Sequence, residues 1–390
     1  MVMNLQNERS ARAGAYIKQK EGYNAFFPSP LPPEPSIEID TELADLLSKA
    51  DLSLGRLDGS AEILPNPDLF VSMYVRKEAV LSSQIEGTQA SLEDVLAYEV
   101  ISERRKSSDG VSEVVNYVDA MNKSLKKLEN TPFSIEILKE AHKELLKGVR
   151  GAEKSPGEFR QRQNWIGVQG SDIFTASFIP PPPTDVERTL SQLETYINND
   201  TTLPVLIKCG LVHAQFESIH PFLDGNGRLG RLLITLLLCQ NKVIQRPLLY
   251  LSAYFKLYRS EYYDKLQEVR DSGDWENWLK FFLRGIWTVS EEAFGTVREI
   301  VTMREKHRNL ILNKMRSPAN GLLLLEHLFK NPLINVEDTK KLLHITYPAA
   351  NHLIGDFIFY DLLKETTGRK RNRLFLYEPY LTLLRKGTEL

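Results

Sequence analysis

The chain has 390 residues, 49 Lys and Arg against 51 Asp and Glu, and 42% hydrophobic residues. At ~150 residues per domain, that length predicts two or three domains whose core needs no disulfide or metal staple. The near-neutral balance (net −2) excludes a polyanion binder held by bulk charge, and the longest apolar run (232–239) is too short to span a membrane.

Cys209 and Cys239 lack CxxC spacing and read as buried thiols of a reducing, cytoplasmic compartment. Asn4, Asn7 and Glu8 interrupt the apolar stretch that a signal peptide needs. Helical periodicity dominates and strand-like runs are few, so the predicted fold is mostly α. The proline-rich segment 23–35 is expected to be extended and to drape over the body. Helices are predicted over 40–50, 68–86, 91–102, 112–128 and 134–149; Gly87 stops the second, and serines cap the last three. Residues 159–178 place aromatic and β-branched residues around a Gly-Ser-Asp turn, the pattern of a β-hairpin ended by four prolines (180–183). Helices follow over 184–199, 203–217, 226–241, 251–271 and 274–312.

Beyond residue 316 the order changes to three helical patterns (319–329, 335–343 and 348–360) and two short strand-like runs. Arg369, Lys370, Arg371 and Arg373 lie between the runs. That is the order of a winged helix-turn-helix module. Its 10 Lys and Arg against 8 Asp and Glu give only +2, and its third helix offers Asn351 and His352 but no Lys or Arg. Packing or partner recognition is therefore favoured over DNA binding. The predicted division is 1–112, 113–315 and 316–390.

One run concentrates chemistry: His220-Pro-Phe-Leu-Asp224-Gly225-Asn226-Gly227-Arg228-Leu229-Gly230-Arg231. His220 is a candidate proton carrier, since an unperturbed histidine (pKa ~6.5) suits proton transfer near neutral pH. Asp224 is a hard oxygen ligand suited to Mg²⁺ shared with substrate phosphates. The glycines lead into a helix whose free N–H groups and positive dipole end make an oxyanion cradle. Arg228 and Arg231 share one helix face and can fork onto phosphate oxygens. Together these parts describe a phosphoryl- or nucleotidyl-transfer site. Gly225-x-Gly227-x-x-Gly230 also spells a dinucleotide fingerprint, but no buried strand precedes it. His213, His220 and Asp224 have the composition of a two-His, one-carboxylate iron site, against which the neighbouring arginines argue.

The run matches HxFx(D/E)GNGRxxR at every specified position, and so resembles the core motif of the Fic family of protein adenylyltransferases. The resemblance implies a Fic-type helical bundle with a small hairpin flap (158–180) over the site. It implies His220 as the base that deprotonates a Ser, Thr or Tyr hydroxyl, and Asp224 as the Mg²⁺ ligand. Residues 225–231 would bind the ATP phosphates, leaving AMP on the acceptor and releasing pyrophosphate. Ile166 and Gly167 of the flap would border the nucleotide, with Tyr262, Tyr263 and Arg270 about the adenine. A target protein would dock on Gln163–Gly167 by strand addition. Ser82-Ser83-Gln84-Ile85-Glu86-Gly87 is similar to the family's inhibitory motif (S/T)xxxE(G/N), within an inhibitory helix (68–87). Glu86 would then pair with Arg231 where the γ-phosphate must sit. Self-modification, homodimerisation, removal of AMP by the same site, and a nucleotide-sensing DNA-binding regulator stay open.

Overall fold

The computed structural model describes residues 11–62, 67–101, 109–168, 170–200, 202–369 and 373–385. Strands β1 (Gly14–Lys18) and β2 (Asn24–Pro28) precede helices α1 (Thr41–Glu62), α2 (Pro67–Ile85), α3 (Leu92–Ile101), α4 (Asp109–Leu128) and α5 (Ile135–Leu145). After an irregular stretch come α6 (Pro183–Asn199), α7 (Val205–Ile219), α8 (Asn226–Gln240), α9 (Ser252–Leu257), α10 (Arg259–Ser272) and α11 (Trp275–Lys314). The last part holds α12 (Pro318–Lys330), β3 (Leu333–Ile334), α13 (Val336–Leu343), α14 (Tyr347–Phe359), β4 (Lys364–Glu365), β5 (Phe375–Leu376) and α15 (Glu378–Arg385). The fold is mostly helical, as the sequence predicts. No described helix is long and apolar enough to cross a membrane.

The centre is the pair α7–α8. Every residue of α7 from Leu206 to Ile219 is buried, so its sequence carries no polar face. It is wrapped by α6, α8, α10, α11 and β2. α1 lies along α11. It outruns its predicted end at Ala50 because Leu54 and Leu57 continue the buried stripe of Leu43, Leu46 and Ala50 past Gly55 and Gly59. The predicted helix 251–271 is broken at Tyr258, where ψ turns to 43°.

Two expectations about strands are modified. Segment 23–35 is not wholly without regular structure, because residues 24–28 pair antiparallel with 14–18 across a turn containing Gly22 (φ 98°). Conversely, among the described residues the hairpin of 159–178 is reduced to one antiparallel bridge, in which Ile166 and Phe178 exchange N–H···O bonds. Its tip folds on its own side chains instead. Asp172 Oδ1 accepts the N–H groups of Phe174 and Thr175, and Trp165 Nε1 donates to Ser171 O at 3.1 Å.

In the C-terminal part, β5 lies between β3 and β4, and Arg373 Nη2 donates to Asn351 Oδ1 at 2.9 Å, tying this sheet to α14. α15 has no counterpart in the sequence reading. Lys370, Arg371, Ser102, Asn4, Asn7 and Glu8 lie outside the described residues. α12 packs on both α11 and α2, with the Phe70 and Phe329 rings 6.0 Å apart.

Candidate active site

α7 ends at His220, whose backbone turns left-handed (φ 49°, ψ 59°). The loop that follows is braced by Asn226, whose Oδ1 accepts the Phe222 N–H at 2.9 Å while its Nδ2 donates to Phe222 O at 2.8 Å. Gly225 (φ 78°) caps α8, and its N–H donates to Asp224 Oδ1 at 2.6 Å. The first-turn amides of Asn226, Gly227 and Arg228 therefore head the α8 dipole without a carbonyl one turn back. His142 fixes the same turn from α5. Its Nδ1 accepts the Gly157 N–H at 2.8 Å, so Nε2 carries the proton and donates to Asp224 O at 2.9 Å. Its ring stacks on Phe222 with centroids 3.8 Å apart.

Arg231 is fully buried, and its fork is filled from α2. Nη2 donates to Glu86 Oε1 at 2.7 Å and to Ser82 O at 2.9 Å, and Nε donates to Ser82 Oγ at 2.9 Å. Burial works against the Glu86 carboxylate, and the Arg231 guanidinium overrides it, holding the carboxyl below its usual range. Glu86 also lies over the cradle, since a Cβ on Gly227 would stand 2.4 Å from its Oε1. Arg228 faces Glu113 Oε2 at 3.5 Å and Asp224 Oδ1 at 3.7 Å, and Thr88 Oγ1 donates to the same Glu113 oxygen at 2.6 Å. Glu113 on α4 is thus a member of the site that no sequence spacing announces.

His220 stands beside this cluster. Burial first, then the cations Arg160 and Arg270, push its imidazole down to about 3, so it is neutral at physiological pH. Arg270 is anchored by Ser218 Oγ (3.1 Å) and Glu217 O (3.3 Å), and lies over the Phe178 ring. Glu217 is a second residue the motif reading missed. Burial pushes its carboxyl up to about 7, and its Oε1 is buried without a partner.

Several predicted site residues lie elsewhere. Leu229 is wholly buried in the core, and its N–H closes the first helical bond to Gly225 O. Gly230 faces α7: a Cβ there would stand 2.3 Å from Glu217 Oε1, and its carbonyl meets His213 Nδ1 at 3.0 Å. These two residues build the helix pair and not the cradle. Tyr262 is fully buried, with its hydroxyl 2.8 Å from His213 Nε2 and its ring stacked on Phe255. It backs the site while the neighbouring Tyr263, 40% exposed, faces outward. Both ring nitrogens of His213 are thereby occupied, which removes the iron-site reading. Among the described residues no three His, Cys, Asp or Glu side chains converge as a metal-binding group. Asp224 keeps a partly exposed carboxylate, and a single hard oxygen suits an ion held mainly by phosphates and water. Ile166 and Gly167 adjoin the motif loop through Asn164, whose Nδ2 donates to Phe222 O at 2.9 Å.

Comparison with known proteins agrees with this geometry. Residues 44–126 match the Fic/DOC family N-terminal model, and residues 132–238 match the Fic/DOC family model. Over 80 residues the chain is 41% identical to a probable protein adenylyltransferase of Aquifex aeolicus, covering 20% of this chain and 25% of that protein. Over 181 residues it is 31% identical to the protein adenylyltransferase Fic of Culex quinquefasciatus, covering 44% of this chain and 30% of that protein. The matched stretches thus span less than a third of these relatives. A Fic family protein of Desulfovibrio desulfuricans G20 shares the fold at 21% identity, with a TM-score of 0.55 over 87% of this chain and 97% of that one. Two adjoining family models, and a motif loop folded around the same residues, place this chain in the Fic/DOC family.

Proposed function

We propose that this protein is a self-inhibited adenylyltransferase that moves AMP from ATP to a Ser, Thr or Tyr hydroxyl of a target protein. The observation that carries the reading is the Glu86 carboxylate, paired with Arg231 at 2.7 Å and lying over the α8 amides. A carboxylate in an anion cradle is a stand-in for the anion the cradle takes.

In the proposed reaction, neutral His220 accepts the proton of the acceptor hydroxyl, whose oxygen bonds to the α-phosphorus. The bond to the β-phosphate oxygen breaks, and pyrophosphate leaves with its electron pair. The first-turn amides and the two arginines carry the phosphate charge. Mg²⁺, held by Asp224 and the phosphates, would neutralise the leaving group. Glu86 blocks the reaction by claiming Arg231 and the γ-phosphate position. Holding such a switch ~99% closed takes about 2.7 kcal/mol, which one charge-assisted pair can supply. Tyr263, Ile166 and Gly167 would border the nucleotide. Trp165, Val168 and Phe174 leave apolar surface exposed on the flap, which suits a docked peptide. We read the C-terminal module as a winged helix-turn-helix used for packing or partner recognition in a cytoplasmic protein.

The test is intact mass after incubation of wild type, Glu86→Gly and His220→Ala with ATP and Mg²⁺ and a mixture of candidate targets. Addition of AMP, greatest with Glu86→Gly and absent with His220→Ala, is expected. Equal labelling by His220→Ala and wild type would reject the base. Duplex DNA retention at low salt would instead turn attention to the module.

A further inference from the structure

Arg160 is a buried cation without a carboxylate. Its side chain is 2% exposed, and among the described residues no Asp or Glu forms an ion pair with it. Two of its three nitrogens are spent on carbonyls: Nε donates to His220 O at 2.9 Å, and Nη2 donates to Pro181 O and to Ile219 O, while Nη1 is buried without a hydrogen-bond partner among the described residues. Its own N–H donates to Pro221 O at 3.0 Å. Asn164, four residues on, adds a donor to Phe222 O. The segment 160–164 therefore grips three consecutive carbonyl-bearing residues around His220, plus Phe222, where His220 turns left-handed without being a glycine.

Burying a guanidinium with only neutral acceptors is costly, and a neutral donor could have capped α7 instead. What the charge adds is a field on the imidazole next to it. The groups facing His220 are Arg160 from this segment, Arg270 from α10 and Glu86 from the end of α2. The first two oppose protonation and the third favours it.

We propose that Arg160 is a positioning residue for His220: it clamps the flanking carbonyls so that the imidazole is aimed into the cradle, and its unpaired charge keeps that imidazole free to accept a proton. When ATP displaces Glu86, polyphosphate charge arrives beside His220 and favours imidazolium. Arg160 supplies the opposing field from the protein side. The transfer reaction belongs to the proposed function, but the clamp and the field belong to the structure alone.

The experiment uses the full chain in the Glu86→Gly background, with Arg160→Gln and Arg160→Lys. His220 is titrated by NMR with isotope-labelled histidine, its signal assigned by loss in His220→Asn. Arg160→Gln should raise the midpoint by about one unit, and Arg160→Lys should leave it near the parent value. In AMP transfer, the acid limb of kcat/KM should move to higher pH in Arg160→Gln. Arg160→Lys should keep the limb and lose about tenfold in kcat, with KM for ATP unchanged, because a single amine cannot span the carbonyls. An unmoved His220 midpoint in folded Arg160→Gln would overturn the proposal. If that variant does not fold, unchanged kcat in Arg160→Lys would overturn it. A shifted midpoint with no AMP transfer by any protein would reject the adenylyltransferase reading and leave the role of Arg160 standing.

Discussion

At the residue scale the site is organised by a few charged groups whose partners come from distant parts of the chain. Glu86 and Arg231 are 145 residues apart, and Glu113 and Arg228 are 115 apart. Removing Arg231 would leave the Glu86 carboxylate without its cation and the Ser82 acceptors unfilled. Arg231→Ala is therefore expected to lower unfolding free energy by about 2–3 kcal/mol, less than a wholly buried pair because Glu86 is 31% exposed. Urea unfolding checks this, and an unchanged midpoint would mean that water replaces the arginine at no cost. Gly227→Ala separates blocking from binding. Its methyl would displace Glu86 Oε1 yet occupy the same cradle. ATP affinity should fall by at least tenfold with no gain in transfer, measured by equilibrium binding and by labelling. The motif made most of the cradle legible, since its residues are contiguous and chemically distinctive. Glu113, Glu217 and Arg160 were not legible, because a carboxylate or an arginine on a helix or loop has no pattern until its partner is known.

At the element scale the α7–α8 contact sets where His220 stands relative to the cradle. Gly230 allows that contact by leaving room for Glu217. Gly230→Ala should cost about 1–3 kcal/mol through overpacking. The double variant with Glu217→Ala should recover much of the loss, giving a coupling that a double-mutant cycle can read. If the two effects simply add, the predicted clash is absent. Helices were legible here because apolar stripes and caps are local properties. Ser134, predicted as a cap, does accept the Ile137 N–H at 3.3 Å. The flap pairs over a shorter stretch than its strand-like aromatic pattern predicts, because Asp172 and Trp165 fold the tip upon itself. β1–β2 was missed for the opposite reason: proline-rich flanks hid a short pairing decided by contact with Ile179, whose carbonyl accepts the Phe26 N–H.

At the scale of the whole molecule, acid stability should be controlled by buried histidines. Burial holds His142 and His307 at about 4, and His213 and His220 at about 3. Below about pH 6.5 the unfolded chain binds protons that the fold refuses, so each such group removes about 1.4 kcal/mol of stability per pH unit until its folded value is reached. Glu78 and Glu217, each pushed up to about 7 by burial, work the other way, because the fold binds their protons before the unfolded chain does. Four groups outweigh two, so unfolding free energy should be lower at pH 5 than at pH 7; chemical denaturation at both values checks the sign. The C-terminal module contributes to the same body, since Phe329 packs on Phe70 of α2 and on Tyr377 and Tyr380. Phe329→Ala should cost about 3 kcal/mol, visible as a lowered Tm of the full chain.

The sequence alone determined the helical class, most helix positions and the run of residues from which the candidate site is proposed, because periodicity, caps and a contiguous motif act over a few residues. Tertiary structure decided which residues of that motif line the cradle and which pack the helix pair. It also decided which distant carboxylates answer the arginines. Those choices depend on the angle between α7 and α8 and on side chains brought from α2, α4 and the flap, and no spacing along the chain encodes such distances.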